Sequence, residues 1–518
     1  MTTGNTINLH YDVIIIGGGL AGLSLTRQLL LANNNLKIAV LEFRKHPVAE
    51  AIHKVGESLV EIGAHYFNNR LQLGEHLKTD QLKKAGLRFF FTHQNNEDIS
   101  QRIEFGATFF PKTPSFQLDR GRFENYLAQL ITEQGAHFID EAKVLAIDLN
   151  QNSHTVSYSH QGEKQMLFSR WVIDASGRSG KLKRQLELTK AVEHDINTAW
   201  FRIKGKLDLD TWSSQADWLK VAPRDFRYLS TNHLMGKGYW TWLIPLASNC
   251  TSIGIVADAA LHPFNEINHL PNALEWLKKY EPQLATKLAT DQYEIIDFHS
   301  LKHYSHDCEQ VFSAQRWALT GEAGVFLDPF YSPGSDFIAL SNEFISDLII
   351  NDLAGFDIKL KAAYYNKQYL ELFQNFLLVY QNQYLLMGYP GTMIHKVIWD
   401  YAVYWGIISL LYFNKKITDI NFMQTFSSAM HKLVVLNKKV QTNFHNYIND
   451  PHAFPVKHFT DTMSYQFLQD WNTNLMQSYD DSALFQLLNN NLAYLQLIAE
   501  QYYQGKSLIP SELELETL

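Results

Sequence analysis

Apolar positions near the start of the chain follow the order strand, helix, strand. The run Asp-Val-Ile-Ile-Ile at residues 12–16 is short and β-branched, as in a buried strand. It breaks at a glycine-rich turn and enters a segment with leucines at positions 23, 25, 29 and 30, which is typical of a helix. The next apolar run, residues 37–41, is again strand-like. This order predicts a βαβ unit.

The remaining pattern divides the chain into sheet-like and helical parts. Residues 143–149, 155–158 and 166–168 alternate as in a β-meander, and glycine turns accompany apolar runs within 171–180 and 317–338. Period-two aromatic runs between residues 191 and 300 predict an antiparallel sheet. Beyond about residue 341, aromatic side chains recur at helical spacings, which favours a helical bundle packed on the core.

These elements predict an α/β fold. A Rossmann-like nucleotide-binding domain would have its first part, with the inserted β-meander, in residues 1–190. An antiparallel-sheet substrate domain would span 191–305, a return segment of the nucleotide-binding domain 306–345, and a helical C-terminal domain 346–518. A chain of 518 residues is long enough for two or three such packed units.

Composition and charge narrow the classes of protein. The chain is 46% hydrophobic and has a formal net charge of -8, which argues against nucleic-acid binding. No apolar stretch reaches the roughly 18 residues of a membrane-spanning helix, and the first strand starts too early for a secretory signal to precede it. Cys250 and Cys308 are too few for a disulfide scaffold, and His303 and His306 lack further metal ligands. We therefore expect a cytoplasmic protein without a metal site.

The glycine-rich turn is the first candidate binding site. Gly17 permits a tight turn, Gly19 lets the backbone approach a pyrophosphate, and Gly22 lets the helix pack on the strand. Glu42 ends the second strand, where an acidic side chain binds the ribose hydroxyls of a dinucleotide. A plain turn and a surface glutamate are the alternatives, but the ordered set favours a dinucleotide site.

Three further positions are candidates that also have ordinary explanations. Ser58 opens a predicted helix and could lie along a flat ring or simply cap that helix. Lys84 follows another lysine in a predicted turn, where a solvent-exposed side chain is the simpler expectation. Arg120, at a strand–helix junction, suits bidentate phosphate binding or a surface ion pair with Asp119 or Glu124.

The order of these motifs resembles that of the FAD-dependent aromatic hydroxylases and, within that superfamily, most resembles the flavin-dependent halogenases. The resemblance spans roughly residues 10–345. Its most specific element is Trp-Thr-Trp-Leu-Ile-Pro at residues 240–245, which matches the family's W-x-W-x-I-P signature at every fixed position. The resemblance assigns Trp240, Trp242 and Pro245 to the wall of the substrate cavity. A strand with two tryptophans on one face is the structural alternative.

The resemblance also assigns individual residues. Lys84, which precedes Ala85 and Gly86, occupies the place of the family's essential lysine, and Lys83 is the other possible register. Residues 56–58, Gly-Glu-Ser, resemble the segment along the flavin, and residues 117–124 resemble the stretch Q-x-D-R-x-x-F-D. The implied FAD-binding residues are Gly17, Gly19, Leu20, Ala21, Gly22, Glu42, Ser58, Arg120, Val144, Gly321, Glu322 and Ser335.

Three positions depart from the family pattern. Glu322 stands where most of the superfamily has aspartate, so the contact with the ribityl chain must accommodate a longer acid. Tyr331 replaces the glutamate of tryptophan halogenases and the phenylalanine of phenol or pyrrole halogenases, which makes an indole substrate a poor match. Pro333 precedes Gly334 in the implied halide-binding segment and has no N–H, so one donor of that site is missing.

The resemblance implies an FADH2-dependent halogenase that uses O2 and a halide to install chloride or bromide on a small electron-rich aromatic substrate, a phenol or pyrrole-like ring. It further implies a separate flavin reductase, hypohalous acid directed by Lys84, and a substrate that is either free or tethered to a carrier. An FAD-dependent aromatic monooxygenase is the alternative, because it needs no halide site. Binding of flavin or of a carrier protein without turnover is a third possibility.

Overall fold

The computed structural model describes residues 10–51, 54–290, 292–448, 450 and 453–508. The start of the chain, which bears on the prediction of no secretory signal, and the last ten residues of the predicted C-terminal domain lie outside the described residues. The strands are β1 His10–Ile16, β2 Ile38–Leu41, β3 Leu82–Lys84, β4 Leu87–Phe91, β5 Ile103–Gly106, β6 Ser115–Gln117, β7 His137–Ile139, β8 Lys143–Asp148, β9 His154–His160, β10 Glu163–Asp174, β11 Thr189–Lys190, β12 Ile196–Lys204, β13 Thr231–Gly236, β14 Tyr239–Pro245, β15 Cys250–Asp258, β16 Ile295–Leu301, β17 Asp307–Cys308, β18 Phe312–Ser313, β19 Trp317–Leu319 and β20 Phe459–Asp461.

The α-helices occupy the segments between these strands and most of the C-terminal third. They are α1 Leu20–Ala32, α2 Glu61–His65, α3 Gly74–Asp80, α4 Arg120–Glu133, α5 Lys181–Gln185, α6 Ala216–Lys220, α7 Phe226–Leu229, α8 Leu270–Tyr280, α9 Pro282–Leu288, α10 Gly334–Leu353, α11 Lys359–Leu377, α12 Pro390–Val403, α13 Leu410–Phe413, α14 Ile420–Asn443, α15 Gln466–Asn474 and α16 Asp481–Tyr502. None of the described helices is both long enough and apolar enough to cross a membrane.

The first sheet places β18, β19, β10, β1, β2 and β7 side by side. Its centre is parallel: Ile15 of β1 lies beside Ile173 of β10 and Val40 of β2. The end of β1 and all of β2 are fully buried, which explains why their apolar runs show no alternation. The predicted βαβ unit is therefore confirmed.

Strand β10 is longer than the sequence indicated. The pattern suggested separate strands at 166–168 and 171–174, whereas one strand pairs with β9 at its start and with β1 at its end. Ser169 does not interrupt this strand because it lies opposite His154 on one side and Tyr11 on the other. The predicted meander of β8, β9 and β10 thus continues directly into the nucleotide-binding sheet.

The second sheet has the order β16, β12, β15, β14, β13, β4, β5, β20. The pairing predicted for residues 191–305 is antiparallel from β16 to β13. β4 and β20 join by parallel pairing, with β13 and β5 respectively. Strands from three of the predicted domain ranges therefore share one sheet, and the division into four domains stays a prediction. The α/β fold class itself is confirmed.

The helices after residue 333 bury their aromatic side chains against the first sheet and one another, as the pattern predicted. Helix α10 follows the last strand of the first sheet and connects that sheet to the C-terminal helices. Near its C-terminal end, Asp352 accepts hydrogen bonds from Arg170, Arg316 and the Trp171 indole, the last at 2.8 Å. This contact fixes the far end of α10, while its first residue, Gly334, lies in a cavity wall.

Candidate active site

The turn between β1 and α1 brings backbone atoms close together. Gly17 has φ +111°, and a Cβ on it would lie 2.3 Å from the carbonyl oxygen of Ala175. A Cβ on Gly22 would lie 2.0 Å from the Gly17 carbonyl oxygen. No side chain fits at either position, so α1 starts directly beside the strand ends and its first N–H groups face the space in front of them.

That space is a cavity of about 590 Å³, within the usual range of ligand sites. It brings together most of the residues that the sequence assigned to cofactor, halide or cavity wall. They are Gly17, Gly19, Leu20, Ala21, Glu42, Ser58, Arg120, Val144, Trp240, Trp242, Gly321, Glu322, Pro333, Gly334 and Ser335. We name it the cofactor cavity.

Four assigned residues are not part of that wall. Gly22 packs beneath the turn, and Pro245 is buried at the end of β14 opposite Thr251. Tyr331 lines a second, smaller cavity, and its hydroxyl donates a 2.8 Å hydrogen bond to Asp400. Lys84 contacts residues beside both cavities, as described below.

The Glu42 carboxylate is oriented by backbone groups. It accepts hydrogen bonds from the N–H of Gly18 at 2.6 Å and of Arg44 at 2.8 Å. The side chain is almost fully buried at the edge of the cofactor cavity. This position, at the end of β2 and beside the glycine turn, is where a ribose would be bound.

Arg120 forms the ion pair that was its alternative role, but inside the molecule rather than on the surface. It donates to the Val55 carbonyl and, at 2.6 Å, to Glu124. Lys54 forms a second ion pair with Glu124. Burial alone would raise the pKa of Glu124, but the two cations outweigh it and lower that pKa. Arg120 still lines the cofactor cavity, so the two interpretations are compatible.

Alternation along β3 decides between the two adjacent lysines. Lys83 points outward, with its ammonium 4.2 Å from the ring centre of Phe110. Lys84 points inward and is 2% exposed, so the expectation of a solvent-exposed Lys84 is wrong. Its ammonium donates to the Ser58 hydroxyl at 2.9 Å and to the Leu59 carbonyl at 2.6 Å.

The burial of Lys84 makes loss of its proton easier. Burial lowers its pKa to about 8, against the opposing effect of the Glu61 and Asp336 carboxylates. An amine with this pKa exists in both protonation states near neutral pH. It can act either as a hydrogen-bond donor or as a nucleophile.

Ser58 does not cap a helix, so that alternative is wrong. Helix α2 begins at Glu61 after Val60. The Ser58 hydroxyl instead lies 2.8 Å from that of Thr231, which also receives a 2.9 Å hydrogen bond from Gln117. Ser58 therefore joins Lys84 to a buried polar chain that borders the cofactor cavity.

The segment before α10 has an unusual backbone. Tyr331 and Ser332 have φ +67° and +62°, and the Ser332 N–H donates to the Pro329 carbonyl at 2.8 Å. Pro333 then caps α10 with φ -75°. Because the first N–H groups of a helix lack intrahelical acceptors, those of Gly334 and Ser335 are suited to an anion in the cofactor cavity. Pro333 itself contributes no donor.

The two tryptophans of β14 face the same way, as their spacing predicted. Their ring centres are 5.7 Å apart, and both line the cofactor cavity. The Trp240 indole N–H donates to the Tyr384 hydroxyl at 3.0 Å, which donates to Asp328 at 2.6 Å. His194 also lies 2.7 Å from Asp328. These bonds fix Trp240 in a single orientation.

The second cavity, of about 80 Å³, contains residues that sequence reasoning missed. Glu61, Asp336 and Asp400 line it together with Tyr331 and several apolar side chains. Pro333 lines both cavities, so they are adjacent. No sequence signal distinguishes Asp336 from an ordinary acidic residue in the first turn of a helix.

The cofactor cavity fits FAD. Basic side chains surround the glycine turns and supply the positive charge that a pyrophosphate needs. They are Arg44, Lys54, Arg120, Lys143, Arg178 and Lys181. The sheet topology, the glycine turn and the acid after β2 together define a dinucleotide-binding flavoprotein of the Rossmann class.

Comparisons with known proteins identify the family. The family model described as tryptophan halogenase matches residues 93–384, and one described as an NAD(P)-binding Rossmann-like domain matches residues 15–78. The chain belongs to the tryptophan halogenase family. It is a flavin-dependent halogenating oxidoreductase that uses FAD and acts on aromatic substrates with a halide. The halogenase prediction is therefore confirmed.

Individual relatives agree with this assignment. A flavin-dependent halogenase of Dictyostelium discoideum, chlA, is 27% identical, covering 92% of this chain and 82% of its own. A chlorinase of Pseudomonas fluorescens named for pyrrole-2-carbonyl groups on a peptidyl-carrier protein is 25% identical over 62% of this chain and 72% of its own. The crystal structure of halogenase PltM with phloroglucinol and FAD matches with a TM-score of 0.65 at 17% identity, covering 96% of this chain and 98% of PltM. That last similarity supports the fold.

Proposed function

We propose that this enzyme halogenates an electron-rich phenol or pyrrole-like ring, and that Lys84 directs the oxidised halogen to it. The observation that supports this proposal is the position of the Lys84 ammonium. It is buried between Ser58, which lines the cofactor cavity, and the segment of Val60 and Glu61, which lines the second cavity.

The cofactor cavity would hold FAD through the glycine turn, Glu42 and the surrounding basic residues. When bound and reduced, FAD supplies the electrons that activate O2 for oxidation of the halide. The N–H groups of Gly334 and Ser335 would hold that halide at the start of α10. Trp240 and Trp242 shape the wall and help to exclude water.

Lys84 acts where oxidant and substrate meet. As an ammonium it hydrogen-bonds the oxygen of hypohalous acid, and as an amine it forms an N-halo adduct. The hydrogen bonds from the Lys84 ammonium to Ser58 and the Leu59 carbonyl fix the nitrogen and leave its third N–H for the oxidant. Burial keeps competing nucleophiles away from the oxidant.

The substrate and partners are part of the proposal. Phloroglucinol in PltM and the pyrrole group of the Pseudomonas chlorinase are both small electron-rich rings. A free substrate and a carrier-tethered one both fit this chemistry, and the pyrrole relative supports the tethered form. A separate reductase would supply reduced flavin, and we propose a cytoplasmic location in keeping with the composition.

Product mass tests the proposal. The full chain is incubated with FAD, a flavin reductase, bromide and a panel of phenols and pyrroles, the latter free and carrier-bound. We expect products with the isotope doublet of one bromine. A gain of one oxygen without bromine would instead support the monooxygenase alternative and contradict the proposal.

A further inference from the structure

The second cavity has carboxylates beside a reactive amine. Glu61 enters it from α2, Asp336 from the first turn of α10, and Asp400 from α12. The Lys84 ammonium influences the pKa values of both Glu61 and Asp336. A substrate ring bound in the second cavity would therefore lie beside carboxylates that can accept a proton, and two of these carboxylates act on the Lys84 ammonium.

Asp336 is held in a fixed orientation. One carboxylate oxygen accepts a 2.8 Å hydrogen bond from the Gly63 N–H, and the other accepts a 2.6 Å bond from the Tyr404 hydroxyl. The Tyr404 oxygen in turn accepts from the Ile62 N–H, so the tyrosine proton points at Asp336. Each carboxylate oxygen retains a second lone pair for a donor on the substrate.

Asp336 also differs from Asp400 in its ionic contacts. Asp400 pairs with Lys396 at 2.6 Å and accepts from Tyr331 and Gln441. Asp336, by contrast, forms no salt bridge within the described parts of the chain. A fully buried carboxylate without such a partner binds a proton more readily than an exposed one.

We propose that Asp336 is the general base of the halogenation and that the substrate is a phenol whose hydroxyl is bound to it. This inference rests on the proposed function of the site. A phenol is favoured because its hydroxyl is a neutral donor that matches a carboxylate acceptor. The same acidic cavity disfavours a substrate that bears a carboxylate.

The reaction balances with the groups present. Asp336 takes the phenolic proton, the released electron pair moves into the ring, and a ring carbon forms a bond to the halogen of hypohalous acid. The halogen–oxygen bond breaks, and the hydroxide takes a proton from the Lys84 ammonium and leaves as water. The ring proton then passes to the Lys84 amine, and Asp336 returns its proton to the phenolate. The sum is phenol plus hypohalous acid giving halophenol plus water.

Several titratable groups face Asp336. They are Glu61 from α2, Lys84 from β3, and the hydroxyls of Tyr380, Tyr404 and Tyr412. The pKa values of the three tyrosines are raised well above their ordinary range by burial, so these groups stay neutral. Glu61 and Lys84 are thus the charged groups that act on the pKa of Asp336: Glu61 raises it and Lys84 lowers it.

The test compares Asp336→Asn with wild type in the full chain carrying FAD, supplied with reductase and bromide. Three readouts are followed: bound FAD, bromination of a β-diketone that traps free hypobromous acid, and bromination of two phenols. One phenol is neutral and the other already ionised at the assay pH. We expect the variant to keep FAD and hypobromite formation and to brominate the neutral phenol at least ~10²-fold more slowly. The ionised phenol should react at a rate close to that of wild type.

Asp347→Asn serves as the matched control, because Asp347 lies on the same helix but pairs with Lys361 outside both cavities, and we expect it to retain most activity on the neutral phenol. An unchanged rate in Asp336→Asn, an equal loss on both phenols, or an equally large loss in Asp347→Asn would overturn the assignment. If wild type forms hypobromite or other products but brominates no aromatic ring, the proposed function itself fails and this inference fails with it.

Discussion

The ammonium group of Lys84 donates a 2.9 Å hydrogen bond to the Ser58 hydroxyl, and this bond places the amine at the boundary of the cofactor cavity. Lys84→Ala should therefore keep FAD but lose halogenated product by at least ~10²-fold, because the oxidant is no longer directed. Lys83→Ala, at the exposed neighbouring position, is the control and should leave the yield unchanged. The yield of halogenated product is measured by mass spectrometry for both variants and wild type at equal FAD occupancy. A Lys84→Ala yield equal to that of wild type would remove Lys84 from the mechanism.

The protonation states of Asp336 and Lys84 predict a narrow pH optimum. Burial is the main cause that raises the pKa of Asp336 to about 7 and lowers that of Lys84 to about 8. A base must be ionised, so the single-turnover rate should rise as the pH passes about 7. A Lys84 ammonium donor is lost above about 8, so the rate should then fall. A rate that keeps rising above pH 8 would show that the neutral amine is the active form.

Gly17→Ala should abolish FAD binding. Its Cβ would lie 2.3 Å from the Ala175 carbonyl oxygen at a positive φ, so the turn must open and the amide groups move. Gly135→Ala is the control, because Gly135 also has a positive φ, +97°, but no atom within 4 Å of the added Cβ. Flavin absorbance of the purified variants measures the difference. Stoichiometric FAD in Gly17→Ala would contradict the predicted cofactor site.

Pro333→Ser should strengthen halide binding. Proline provides no N–H at the start of α10, and serine would add one hydrogen-bond donor to an anion, worth about 1.5 kcal/mol or more. We expect the KM for bromide to fall about 10-fold. Pro329→Ser, which adds an N–H elsewhere in the same cavity wall, tests whether the effect is local. Equal KM values in Pro333→Ser and wild type would place the halide away from this helix.

Much of the fold could be predicted from the sequence because its signals are local. The glycine turn, the apolar run of β2 and the two tryptophans of β14 each depend on a few neighbouring residues. The second sheet could not be assembled in this way, since β4, β5 and β20 join it from distant parts of the chain. The local pattern also suggested a helix cap at Ser58, but its hydroxyl contacts Thr231, which is 173 positions away in the sequence.

The active site shows the same limit. Lys84 and Lys83 are indistinguishable by residue type, and only the pairing of β3 with β6 determines which side chain points inward. Glu61 and Asp336 come from separate helices and meet only after α10 packs against α2. Their burial beside one amine is a tertiary property. No spacing along the chain could have indicated it.

The contact of Asp352 with Arg170, Trp171 and Arg316 lies sixteen residues from Asp336, about 24 Å along the same helix. A helix moves nearly as a rigid rod, so a change at this distant anchor displaces the base and the anion-facing amides together. Laboratory evolution of this enzyme toward new rings or halides should therefore select variants at the Asp352 anchor as well as in the cavity walls.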